Sequence, residues 1–356
     1  MFKLLGQKKS FGIDIGTQTI KIAELSYNSN KFYIENYSIW DDDLDNVIQE
    51  KDGEIFLSNE NIVNIMQAMN LNSEMAISEA YVALPSYLAL FAVIQLPILD
   101  GKDLVTAVPL EAKKHIPVPL NTVQLDWINL GKNKSQDMYN ILIIAIPNAV
   151  ADKYVKISQA LGIKIKGFEL DCFSTLRTIE LPKQNVCLID IGARTSTVMI
   201  VNSNKKLQTI QSYDFGGNHI TESIKQLKMC STIEAENLKK HNGLSGNDIG
   251  VSEIIQSKID AFIITDVVRL LNNINDTMNI SINHIVVLGG GAKMSGIIEY
   301  IESIFHDKLN NNSINVSLAT PIPNLFVKNI QNDDFRLNVW RDLFLSIGVA
   351  LRNYIE

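Results

Sequence analysis

The 356 residues hold only three cysteines and five histidines, and each shortage removes a class of protein. Cys172, Cys187 and Cys230 are odd in number and share no metal-ligand spacing, so no disulfide framework or zinc site is expected. They read as buried thiols in a reducing compartment. No apolar stretch approaches the roughly 18 residues of a membrane span, and Met1 to Lys9 lacks the run of a signal peptide. Lysine and arginine number 32 against 39 acidic residues, a net charge of −7 without basic clusters. That balance argues against nucleic acid as the main partner. Neither His115 nor His219 has a positioned nucleophile, and neither is a site candidate; His219, beside a Gly-Gly turn, fits a helix cap. A soluble, cytoplasmic chain of about two domains is expected.

What is present is a repeated phrase. Phe11-Gly12-Ile13-Asp14-Ile15-Gly16-Thr17-Gln18-Thr19 opens the chain, and Cys187-Leu188-Ile189-Asp190-Ile191-Gly192-Ala193-Arg194-Thr195-Ser196 returns near its middle. Each is an apolar strand, an Asp-x-Gly turn with small hydroxyl residues, and a second apolar strand (Ile20 to Leu25; Thr197 to Val201). Gly16 and Gly192, lacking Cβ, let the turn tighten and its N–H groups approach an anion. Asp14 and Asp190 cannot bind phosphate directly, being anionic, but can hold Mg²⁺ through water. Lys21 adds a point charge on the returning strand. One Asp-x-Gly is ordinary hairpin chemistry; two matched copies point to two similar halves, each with a phosphate turn.

A third element follows. Ile285 to Leu288 reads as a buried strand, Gly289-Gly290-Gly291 as a turn against a planar or anionic ligand, and Ile297 to Phe305 as a helix. Two Asp-x-Gly turns followed by a triple glycine resemble the actin, Hsp70 and sugar-kinase superfamily, where they serve as first phosphate, second phosphate and adenosine loops.

Between the repeats the pattern changes. Residues 11–40 read as a three-stranded meander, Asp41 to Glu54 as an acidic surface loop or short helix, and Glu60 to Met69 as a helix capped by Ser58. Ala80 to Leu84 and Leu90 to Leu96 read as strands, Leu104 to Ile116 as a helix ended by Pro117 and Pro119, and Thr122 to Leu130 and Tyr139 to Ile146 as strands. They suggest an inserted β-α-β-β unit. Asn148 to Leu161 reads as a helix and Gly167 to Leu181 as a connecting helix. Phe215-Gly216-Gly217 is a glycine turn feeding another helix. Thr232 to His241, Val251 to Thr277 and Ser295 to Phe305 read as mostly helical, and Arg341 to Tyr354 as an amphipathic helix returning to the first domain.

The insert narrows the resemblance. Val108-Pro109-Leu110-Glu111-Ala112-Lys113-Lys114-His115-Ile116-Pro117, then Val123-Gln124-Leu125-Asp126-Trp127, resembles the inserted subdomain of the PilM family, the actin-like proteins of type IV pilus assembly. So do Glu234-Ala235-Glu236-Asn237-Leu238-Lys239 and the closing Leu345-Ser346-Ile347-Gly348-Val349-Ala350-Leu351-Arg352. The cell-division protein FtsA is similar in architecture but usually adds a membrane-targeting helix behind a linker, whereas this sequence stops at Glu356. The resemblance implies an α/β, actin-like two-domain ATPase fold, two RNase H-like halves with an FtsA/PilM-type inserted β-α-β-β subdomain. The expected divisions are 1–78, 151–182 and 321–356 (first domain); 79–150 (insert); 183–217 and 284–320 (second domain); and 218–283 (its subdomain).

It further implies an ATP site between the halves. Gly16, Thr17, Gln18 and Lys21 would hold phosphates from one side and Gly192, Ala193 and Arg194 from the other, with Asp14 and Asp190 on Mg²⁺. Arg194 either steadies a phosphate or lies on the surface. Gly216 and Gly217 join this set. Glu236 and Lys239, at i and i+3, would flank adenosine below, unless they are simply a solvated helical pair, and Gly289, Gly290 and Gly291 would cover it above. Asp171, with Glu169 in reserve, would orient water at the start of the first connecting helix, unless both simply cap it.

The function implied is a cytoplasmic, ATP-binding scaffold at the inner membrane, with slow or no hydrolysis. It would be recruited by the N-terminal peptide of a PilN-type membrane protein, with other pilus assembly proteins and a second copy as further partners and no membrane span of its own. The rivals are an FtsA-like filament-forming tether, a small-molecule kinase of the superfamily, and a pseudo-ATPase that only scaffolds. Against the kinase, the Asn- and Ile-rich insert offers no converging polar acceptor groups.

Overall fold

A computed structural model describes residues 9–41, 48–51, 54–73, 75–133, 135, 137–308, 311, 313–330 and 332–355. The expectation for the N-terminal leader therefore falls almost wholly outside the described residues, as does the terminal Glu356. The chain divides into two compact units, 1–86 with 149–180 and 320–356, and 87–148 with 181–319.

The first unit is built on a six-stranded sheet in the order Lys164–Leu170, Glu79–Leu84, Ser10–Ile15, Ile20–Asn28, Lys31–Trp40, Leu325–Val327. Ser10–Ile15, Ile20–Asn28 and Lys31–Trp40 form the antiparallel meander, while Glu79–Leu84 and Lys164–Leu170 add in parallel. The helix Asp333–Ile355 packs along the sheet against Ser10–Ile15 and Ile20–Asn28, burying Trp340, Leu343, Ile347 and Leu351. Contact is close enough that a Cβ on Gly12 would run into the Ser346 carbonyl, so only glycine admits the helix there. Asn59–Ser73 is helical, and Ser58 Oγ accepts from Asn61 N at 3.1 Å as an N-cap.

The second unit repeats the plan. Its five-stranded sheet runs Leu207–Tyr213, Ser196–Val201, Val186–Ile191, His284–Leu288, Asn315–Leu318, the same meander-then-parallel order. Helices cover it, including Gly217–Lys228, Thr232–Asn242 and Ile249–Asp260. The last of these continues through a π-helical segment Ala261–Val267 into Val268–Met278. Cys187, Ile189, Val198, Ile255, Ile263 and Val287 lie in this core. The same unit holds a three-stranded antiparallel sheet, Leu90–Pro97, Met138–Pro147, Val123–Lys132, whose Ile94, Ile141 and Ile143 pack on Leu104 and Val108 of helix Gly101–Ala112. That is the β-α-β-β order read from the sequence.

Four local readings change. Gly167 to Leu181 is not one helix: Lys164–Leu170 is a strand and only Asp171–Thr178 is helical. Parallel pairing with Glu79–Leu84 claims the first part, with Gly167 lying flat against Tyr81, and local periodicity cannot show such a partner. Ala80 to Leu84 belongs to the first sheet rather than to the insert's sheet. Within Asp41 to Glu54, residues 42–47 and 52–53 lie outside the described residues, and Ile48–Lys51 pairs antiparallel with Glu54–Leu57 instead of forming a loop or helix. Cys172 and Cys187 are buried as expected, but Cys230 is only half-buried.

Candidate functional site

Three parallel strands end side by side in the first unit. Asp14 is level with Ala83, and Leu84 with Leu170, so the residues just beyond these ends gather at the carboxyl edge of the sheet. Such edges are where α/β sheets bind ligands. Asp14 is buried, directly opposite Lys21 in the hairpin register. Gly16 N donates to Thr19 O at 2.9 Å and closes the turn that carries Thr17 and Gln18.

Asp171 is the first residue of its helix and is half-buried. Ser86, buried just past the strand Glu79–Leu84, donates its hydroxyl to Asp171 Oδ1. Burial pushes the Asp171 carboxyl up to about 6, and the negative charge of Asp14 adds to the rise; hydrogen bonds from Ser86 and the Cys172 N–H oppose it. Burial raises Asp14 as well, with Lys21 opposing. A carboxyl poised in this way can accept a proton near neutral pH.

Glu169 has a different place. It lies on the strand rather than at a helix start, and both its oxygens are taken by the Arg177 guanidinium, with Ser174 Oγ donating at 2.8 Å. Arg177 also donates to Gly348 O at 2.9 Å, so the pair fastens strand, helix and C-terminal helix together. Its carboxylate is held by the protein's own side chains.

In the second unit the matching turn is closed by Gly192 N donating to Thr195 O at 3.1 Å. The next glycine turn is stapled onto it. Gly217 N donates to Gly192 O at 2.9 Å and Asn218 N to Ala193 O at 2.7 Å. Gly216 N donates to His219 Nδ1 at 3.2 Å, which makes His219 the cap that its position suggested. The N–H groups of Gly216 and Gly217 are thus spent on the protein, and what these residues contribute is close backbone approach: a Cβ on Gly216 would strike Ala193 O.

Glu236 and Lys239 are not a solvated pair. Lys239 is buried, and its ammonium donates to Glu236 Oε2 at 2.6 Å, Thr221 Oγ1 at 2.8 Å and Gly217 O at 3.1 Å. Thr221 Oγ1 also lies 2.6 Å from Glu236 Oε2. Burial works to raise the Glu236 carboxyl, but Lys239 and Thr221 outweigh it and hold the group below the usual range; burial lowers Lys239 against the pull of Glu236. The network ties Thr232–Asn242 to the start of Gly217–Lys228.

The three consecutive glycines divide by cause. Gly289 has φ +86°, and a Cβ there would meet Asp190 Oδ1 and the Ile191 carbonyl; a Cβ on Gly291 would meet the Ile191 side chain. Nothing lies within 4 Å of a Cβ on Gly290, which is open to a ligand. Asp190 is half-buried, level with Thr197 and with Leu288, the residue before Gly289. Sequence reasoning missed Ser86, Arg177 and Thr221. Ser86 follows a strand end with no motif around it, and only sheet order brings it to Asp171.

The family described as "Type IV pilus assembly protein PilM" matches residues 12–354. The fold is similar to the solved "PilM-PilN type IV pilus biogenesis complex", with TM-score 0.77 and 18% identity over 98% of this chain and 100% of that one. It is also similar to ethanolamine utilization protein EutJ from Carboxydothermus hydrogenoformans, with TM-score 0.55 and 13% identity over 98% and 90%. Two halves sharing one strand order, with an inserted β-α-β-β sheet, constitute the actin-like two-domain fold. With the family match running from residue 12 to residue 354, the chain belongs to the PilM family of type IV pilus assembly proteins.

Proposed function

We propose that the chain is an ATP-binding, actin-like scaffold of the pilus assembly complex at the inner membrane, recruited by the N-terminal cytoplasmic peptide of a PilN-type membrane protein and turning ATP over slowly or not at all. The observation that carries this reading is full-length similarity to a protein solved within a PilM-PilN complex. Among the described residues no helix is long and apolar enough to cross a membrane; in this reading the partner provides the attachment, and the chain sits on the cytoplasmic face.

The residues support a nucleotide. In this reading Thr17 and Gln18 beside the closed turn at Gly16, and Ala193 and Arg194 beside the one at Gly192, would hold phosphates, and the open backbone at Gly290 would take the adenosine. Lys21 contributes positive charge beside Asp14. Among the described residues no three His, Cys, Asp or Glu side chains gather as a metal cage. Single carboxylates such as Asp14 and Asp190 suit Mg²⁺, a hard cation that keeps its waters and binds through one or two carboxylates plus phosphates. When bound, Mg²⁺ would neutralise phosphate charge. Asp171 is the residue that would orient and deprotonate water.

Calorimetric titration of Mg·ATP, then of a synthetic PilN-type N-terminal peptide, tests the proposal. Saturable binding of both is expected. Peptide binding without ATP binding would leave a nucleotide-free scaffold, and ATP binding without the peptide would reopen the tether and kinase readings.

A further inference from the structure

The parallel strands Ser10–Ile15, Glu79–Leu84 and Lys164–Leu170 deliver Asp14, Ser86 and Asp171 to one edge of one sheet. Two of the three were expected there and the third was not. Ser86 is almost fully buried, 1% exposed, and its hydroxyl is directed at Asp171. A carboxylate acting only as a helix cap accepts from backbone N–H groups of its own first turn. Asp171 accepts in addition from a side-chain hydroxyl supplied by a chain segment 85 residues earlier, a bond the cap does not need. Glu169, the other carboxylate considered for this chemistry, is fully occupied by Arg177 and Ser174. We propose that Ser86 is a positioning residue: its hydroxyl holds the Asp171 carboxylate in the one orientation that receives the attacking water.

The inference rests on the ATP reading. In the step concerned, the water oxygen bonds to the γ-phosphorus while the bond from that phosphorus to the β–γ bridging oxygen breaks. The electron pair of the broken bond leaves with ADP, and a water proton passes to Asp171. Ser86 touches neither water nor phosphate; it acts through Asp171. A hydroxyl bonded to a carboxylate restricts that group's rotation, and misplacing a catalytic group by a fraction of a bond length is enough to slow a reaction severalfold. A buried hydroxyl serving packing alone would influence folding and nothing else.

The experiment is a double-mutant cycle on the full chain. Mg·ATP affinity is measured by calorimetry, hydrolysis by single-turnover release of γ-labelled phosphate, and folding by thermal melting, for the unaltered protein, Ser86→Ala, Asp171→Asn and the double variant. Ser86→Ala should slow single-turnover hydrolysis about ten-fold or more with unchanged Mg·ATP affinity. The double variant should be no slower than Asp171→Asn alone. An unchanged rate in Ser86→Ala overturns the proposal, as does a loss that adds to that of Asp171→Asn or that parallels weaker binding or a lowered melting point. Mg·ATP binding with no turnover by the unaltered chain overturns it while leaving the ATP reading intact. Absence of Mg·ATP binding defeats the ATP reading itself.

Discussion

Asp171 holds its proton more tightly in the folded chain than when unfolded, because burial and the neighbouring Asp14 both disfavour its charge. The sign of the pH effect follows. Between about pH 4, the ordinary carboxyl range, and about 6, the folded state binds more protons than the unfolded one, so stability falls as pH rises. Above that window the whole cost is present; below it the cost is gone. Asp171→Asn, neutral at every pH, should therefore be more stable than the unaltered protein at pH 7.5, by roughly 1–2 kcal/mol after allowance for partial solvent screening. The gain should vanish near pH 4. Melting curves of both proteins across this range check it, and a gain that is independent of pH would assign Asp171 no shifted carboxyl. Glu169, two residues earlier, shows how finely role depends on placement: its Arg177 partner makes it a fastening rather than a reactive group.

At the scale of elements, the triple-glycine turn separates structural need from ligand need. Gly289 adopts a left-handed φ and lies against Asp190 and the Ile191 backbone, so Gly289→Ala should cost about 1–3 kcal/mol or more. Gly290 meets nothing, and Gly290→Ala should leave the melting temperature unaltered. If the adenosine lies over this turn, the same substitution weakens Mg·ATP binding. Parallel calorimetry and melting of the two variants distinguish the roles, and unchanged ATP affinity in Gly290→Ala would remove this turn from the nucleotide site. The neighbouring glycine turn works by another route. The N–H groups of Gly217 and Asn218 join Gly217–Lys228 to the Gly192 turn, and Lys239 seals the junction from the following helix. A charged i, i+3 pair on an isolated helix would contribute a few tenths of a kcal/mol. With Lys239 buried and bonded to Glu236, Thr221 and Gly217, the pair sets how two helices meet, and removing Glu236 would strand a buried charge.

At the scale of the whole molecule, the first unit is assembled from three separated stretches of chain, and the last of them completes its core. The helix Asp333–Ile355 starts at an Asn332 cap, Oδ1 accepting from Phe335 N at 2.9 Å. It lies on Gly12 at one point, and Gly348 meets Ser174 so closely that a Cβ would strike its carbonyl. A chain ending at residue 332 should lose the protease resistance of residues 9–41 and 149–180. Limited proteolysis followed by mass mapping would show this; full protection of those segments would mean that the sheet is stable without the helix.

The repeated Asp-x-Gly phrases, the triple glycine and the β-α-β-β insert were legible from residues alone. Turn chemistry and strand periodicity are local, and two copies of one phrase imply two copies of one sheet. The helix at 148–161 and the Ser58 cap were legible for the same reason. What only the tertiary structure decided is which side chains meet. Lys164–Leu170 became a strand because a parallel neighbour claimed it, and this moved Glu169 off the helix and onto Arg177. Ser86 reached Asp171, and Lys239 reached Gly217, through strand order and helix docking between segments far apart in sequence. Spacing along the chain carries no record of such meetings, because burial and pairing across a sheet are set by partners that no local window contains.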